Sequence, residues 1–143
     1  MDKVMKEVSK AEQLNEFCKN TLVDNLGIVF LSAVEGEIVA KMPVDARTIQ
    51  PFKLLHGGAS LALAETVASA GSAMLVDLSR SGVVGVEVNG NHVGSAKSGF
   101  VTATARIVHQ GERTHVWNVE IVDENGRKIM VGRVTAMVVE INR

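Results

Sequence analysis

The sequence has one cysteine, Cys18, so no disulfide framework can form within the chain, and a reducing compartment fits it. It has no block or stripe of basic residues. Lys and Arg number 15 against 16 Asp and Glu, a formal net charge of −1, which argues against a nucleic-acid partner. No uninterrupted apolar run reaches membrane-spanning length. The start, Met1-Asp2-Lys3-Val4-Met5-Lys6-Glu7, has charges where a signal peptide needs an apolar run. A soluble cytoplasmic protein with no membrane association is the expectation. Several chemistries are missing as well. The four histidines lack metal-ligand spacing and no cysteine or second carboxylate joins them, so neither a metal nor a cofactor is expected. Gly-x-Gly-x-x-Gly and P-loop patterns do not occur. Ser60 and Ser69 have no His–Asp relay in sequence to support a serine triad.

What is present is an ordinary globular composition: 143 residues, 46% hydrophobic, enough for one domain, residues 1–143, with a real core. The stretch from His56 to Met74 stands out. It reads as a helix of small residues, apolar or small on every side, and such a helix is normally buried on every side. From Gly57 to Val76 only Glu65 ionises. A carboxylate there is costly unless it is paired, hydrogen-bonded or used. Gly57 and Gly58 leave the helix start bare, so a ligand oxygen can reach backbone N–H groups that have no internal partner. That is an oxyanion-hole geometry, although glycines also serve close helix–sheet packing. Ser69 lies at i+4 from Glu65, on the same face.

Around that stretch the periodicities predict an α+β fold. Residues 3–18 have the 3–4 spacing of a surface helix within an N-terminal segment, 1–20. Leu26 to Ala33 and Ile38 to Val44 read as a strand hairpin, with Pro43 near the strand end. The central helix is expected from Gly57 to Leu78. Strands follow over Val83–Val88, Phe100–Val108, Thr114–Val122 and Lys128–Ile141, with an Asn125-Gly126 hairpin turn and a bulge or close backbone approach at Gly132. Asn89 to His92 reads as a polar break between strands, and His109 and His115 as surface residues. No βαβ alternation appears, so the sheet is expected to be antiparallel and wrapped closely around the small-residue helix.

Three stretches carry a resemblance: Gln50-Pro51-Phe52-Lys53-Leu54-Leu55-His56-Gly57-Gly58-Ala59-Ser60, then Glu65, then Asn89-Gly90-Asn91-His92-Val93. They resemble the hotdog-fold acyl-CoA thioesterase family over about Asn25 to Ile141. The branch most similar acts on aromatic thioesters such as hydroxybenzoyl- and dihydroxynaphthoyl-CoA, and includes proofreading enzymes for aryl carrier-protein thioesters. The resemblance implies an antiparallel sheet around a central helix, subunits paired edge to edge into a homotetramer, and active sites at the dimer interface. It implies that Glu65 is the catalytic carboxylate, nucleophile or general base, and that the Gly57 amide is the oxyanion donor. Gln50 and His56 match polar residues around the thioester carbonyl, Ser69 a side chain that positions water or the carboxylate, and His92 a residue near the pantetheine or nucleotide arm. Gly58 and Thr66 join the substrate surface, with Ala68 and Met74 as further helix positions that shape the pocket. The family often has a basic residue two positions after that His, where this chain has Gly94. Lys97 or Arg113 is then the expected phosphate contact. The expected activity is hydrolysis of acyl-CoA, aromatic in type, to free acid and CoA. Other readings are a carrier-protein substrate, a hotdog dehydratase or hydratase, and a non-catalytic acyl-CoA-binding domain.

Overall fold

The computed structural model describes residues 8–141. Helix α1 spans Lys10–Phe17 and α2 spans Leu22–Asn25. Strands β1, Val29–Val34, and β2, Glu37–Pro43, form the first hairpin. The long helix α3, Gly57–Ala73, follows. The chain then runs as β3, Ser81–His92, β4, Phe100–Gln110, β5, Thr114–Asp123, and β6, Lys128–Glu140. All pairings are antiparallel, in the order β1-β2-β4-β5-β6-β3. Helix α3 touches β2 through β6, so the sheet curls around it as expected.

The strand periodicities hold at the core. Ile38, Ala40 and Met42 on β2, Val101, Ala103 and Ala105 on β4, and Trp117, Val119 and Ile121 on β5 all point at the helix and are buried. The small residues of α3 make that approach possible. A β-carbon at Gly71 would stand 2.5 Å from Trp117 Cη2, and the indole N–H donates to Ser72 Oγ at 2.8 Å. At Gly132 a β-carbon would collide with the Asn89 carbonyl, the close backbone approach expected there. Asn125-Gly126 turns between β5 and β6, with Gly126 at φ +77.

Four boundaries differ from expectation, each for a local reason. Helix α1 starts at Lys10 because Ser9 and Glu12 form a capping box, with bonds of 3.2 and 2.8 Å. Residues 3–7 of the expected helix lie outside the described residues. The first strand starts at Val29 rather than Leu26, since α2 and Gly27, at φ +71, occupy the approach to it. Helix α3 stops at Ala73 rather than Leu78. Asp77 accepts from the Ser79 N–H and hydroxyl, and its carbonyl accepts from the Arg80 and Ser81 N–H groups, which sets a turn instead. Strand β3 runs from Ser81 to His92, through the polar residues read as a break, because β6 pairs with it from Glu140 to Met130. His115 is also corrected: it is 2% exposed, on the inner face of β5 between Gln110 and Ala136.

Candidate active site

The start of α3 can be accounted for donor by donor. His56 is the N-cap, in extended conformation, and its Nδ1 accepts the Gly58 N–H at 2.8 Å. Its carbonyl accepts from Ala59 and Ser60 at 3.0 and 3.2 Å. The Gly57 N–H makes no hydrogen bond among the described residues. Of the four first donors, that one is left for a ligand, at the positive end of the helix dipole. Because Nδ1 of His56 is an acceptor, the neutral ring carries its proton on Nε2 and offers it as a second donor.

One neighbour closes on this point. A β-carbon at Gly57 would stand 2.9 Å from His92 Nε2, so His92, at the end of β3, lies directly over the helix start. Gln50 heads a tight turn in which its N–H donates to the Leu54 carbonyl and its own carbonyl accepts from Lys53, both at 2.8 Å. The Gln50 side-chain oxygen accepts the Phe52 N–H, and its amide nitrogen has no hydrogen-bond partner among the described residues.

Glu65 lies two turns further along α3. It makes no hydrogen bond or ion pair among the described residues. Its carboxylate stands over Gly85 of β3, where a β-carbon would collide with Oε1. Gly85 sits at an irregularity in the β3–β6 register, so Val86 bulges from the ladder just there. Glu65, Thr66 and Ser69 together line a cleft of about 390 Å³. Its other walls are apolar: Leu14 and Phe17 from α1, Val23 from α2, Leu26, and Phe30 from β1. The Thr66 hydroxyl donates to the Ala62 carbonyl at 2.7 Å. Cys18 also faces the cleft, and burial, with Asp24 second, pushes its thiol up from the ordinary value, so it stays a protonated apolar wall.

The remaining expected residues lie elsewhere. Lys97 is exposed in the loop after β3, next to Ala96, whose carbonyl accepts from Leu55 at 2.9 Å, so it belongs to the His56 end of the molecule. Arg113, in the β4–β5 turn, lines a different cleft with Glu112, Met137 and Glu140, and is not brought to Glu65 within the chain. Gly94 has a structural reason: a β-carbon there would collide with the Lys128 carbonyl. Ala68 is fully buried and faces the sheet, while Met74 lines a neighbouring groove. Among the described residues no three His, Cys, Asp or Glu lie close enough to hold a metal ion. No described helix is long and apolar enough to cross a membrane.

Sequence reasoning missed Gly85 and the part played by α1. The signal for Gly85 was a glycine inside a β-branched run, Val83-Val84-Gly85-Val86, which marks a bulge or a close approach. For α1 the only signal was its apolar stripe, which cannot by itself say what it covers.

Comparison with known proteins agrees with this fold. The Thioesterase superfamily model matches residues 52–130. The Pseudomonas aeruginosa esterase PA1618 is 47% identical over 130 residues, 91% of this chain and 90% of that protein. A crystal structure of a mutant of it, described as a thioesterase, superposes with a TM-score of 0.90 at 44% identity, covering 95% of this chain and 98% of that one. The 1,4-dihydroxy-2-naphthoyl-CoA hydrolase of Escherichia coli is 42% identical over 127 residues, 89% of this chain and 93% of that protein. The proofreading thioesterase EntH of Klebsiella pneumoniae is 44% identical over 115 residues, 80% of this chain and 83% of that one. Matched nearly end to end by such relatives, and folded as a sheet around one helix, this chain belongs to the Thioesterase superfamily and is a hotdog-fold thioester hydrolase.

Proposed function

We propose that the chain hydrolyses aromatic acyl-CoA thioesters to the free acid and CoA, with Glu65 as the reacting carboxylate. The observation that carries this reading is Glu65 itself, a charge with no partner among the described residues that faces an apolar cleft. The thioester carbonyl oxygen lies against the Gly57 N–H of a second copy of the chain, with the Nε2–H of that copy's His56 and the amide of its Gln50 as further donors, because about 12 Å of α3 separates Gly57 from Glu65 within one chain. Those donors stabilise the negative charge that develops on the oxygen. Glu65 either takes a proton from water as the water oxygen bonds to the carbonyl carbon, or attacks that carbon itself. In both routes the carbon–sulfur bond breaks and the thiolate leaves as CoA. In the second, water then hydrolyses the mixed anhydride. Ser69, one turn beyond Glu65 in the same cleft, positions the water. His92 guides the pantetheine arm past the helix start, and Lys97 and Arg113 are the cations available to the CoA phosphates.

Two copies of the chain pair through the open edge of β3, and the tetramer is a dimer of such dimers. What supports this is that among the described residues β3 pairs only with β6, that Val84 and Val86 are exposed on it, and that Glu65 stands over Gly85 of the same strand. Arg113 then reaches substrate from the neighbouring subunit.

A panel of aromatic and aliphatic acyl-CoAs with free-thiol detection tests the reading. Benzoyl- and naphthoyl-type esters are hydrolysed by the wild type and not by Glu65→Ala. Equal rates in the two proteins overturn the role of Glu65. Faster turnover of aryl carrier-protein thioesters moves the substrate from CoA to the carrier arm.

A further inference from the structure

The cleft at Glu65 does not end where a single aromatic ring would end. A second groove of about 580 Å³ adjoins it along α3, and the two share Leu14, Phe17, Ala70 and Ala73 as walls. The second groove passes Met74 and opens at Leu78. Small side chains of α3, Ala70 and Ala73, line both grooves, and Ala62 lines the first. The roof is α1, and that roof is fixed: the Asn15 side chain donates to the Phe30 carbonyl at 3.0 Å and accepts from the Phe30 N–H at 2.8 Å. From Glu65 to Met74 the helix rises about 13 Å, which is longer than one ring needs.

Resting on the thioesterase reading above, we infer that the site takes an elongated acyl group, an aryl ring beside Glu65 that carries an apolar tail into the groove between α1 and α3. Ala73 sets how far the tail can run, because it lines both parts of the groove at their junction. The driving force is burial of the tail against Leu14, Phe17 and Met74, and each methylene moved out of water adds to it.

The test compares benzoyl-CoA with para-octylbenzoyl-CoA, in wild type and in Ala73→Phe. Binding of the non-hydrolysable thioethers S-benzyl-CoA and S-(para-octylbenzyl)-CoA is measured on the same proteins. In the wild type kcat/KM is higher for the octyl ester by about tenfold or more. Ala73→Phe removes that advantage: kcat/KM for the octyl ester falls by about tenfold more than for benzoyl-CoA. Equal or better use of benzoyl-CoA by the wild type overturns the inference, as does a uniform loss on both esters. If neither ester is hydrolysed, the proposed activity fails and the thioethers decide the groove. Tighter binding of the octyl compound, lost in Ala73→Phe, upholds the groove, and equal binding refutes it.

Discussion

In the proposed site Glu65 stands over Gly85, one a charge with no partner among the described residues and the other the absence of a side chain. A methyl on Gly85 would meet Oε1 directly, so Gly85→Ala must move the carboxylate. The expected outcome is a fall in kcat of about 100-fold, the scale on which misplaced catalytic groups lose rate, with a smaller change in KM. Steady-state kinetics on benzoyl-CoA checks it, and a change in KM alone would place Gly85 in binding instead. His115 makes a residue-scale claim about pH. It is buried, and burial holds its imidazole below the ordinary value of 6.5, outweighing a hydrogen bond with the Gly111 backbone, with His109 adding to the lowering. A lowered native value means that the unfolded chain binds a proton that the native chain resists. Stability is therefore full above about pH 6.5 and falls as the pH drops below the unfolded histidine value. Urea midpoints between pH 7.5 and 5 should decline in the wild type, and the His115 share of that decline should vanish in His115→Leu. An identical slope in both proteins would contradict the assignment. The phase of β5 already put His115 on the inner face with Trp117, Val119 and Ile121, and the reading of it as a surface residue gave too much weight to the adjoining turn.

At the scale of elements, α3 was the most legible part of the chain. Its charge, its bare start and its small residues could all be read in order, and the sheet packs on it through Gly71 and Ser72 as those residues allow. Ser72→Ala leaves the Trp117 indole N–H buried without a partner and should cost about 1–3 kcal/mol in urea unfolding. Gly71→Ala pushes a methyl into the Trp117 ring, with an overpacking cost of about 1–3 kcal/mol. A value near zero for both would mean that the ring can slide. The ends of elements were less legible because they answer to partners distant in sequence. Asp77 closes α3 through its own turn, which residue types near it could suggest. The extension of β3 through Asn89-Gly90-Asn91 depends on Arg133-Gly132-Val131 lying opposite, some forty residues later, and no local pattern announces that.

For the whole molecule, the open edge of β3 matters more than any interior feature. An exposed edge of 12 residues with Val84 and Val86 outward invites a second chain. Charges there, Val84→Lys with Val86→Lys, should shift sedimentation velocity toward a smaller species and lower hydrolysis together. Loss of assembly with full activity would show that each chain carries a complete site. The apolar cleft beneath α1 was hidden from sequence because its walls come from α1, α2, β1 and α3, and only the fold brings them together. The most direct test of the central claim is the rate of thiol release from an aromatic acyl-CoA by Glu65→Gln, a replacement of nearly the same shape. The account predicts a fall of at least about 100-fold with thermal stability unchanged or raised, since the amide removes an unpaired charge from a cleft. Hydrolysis within about twofold of wild type would contradict it.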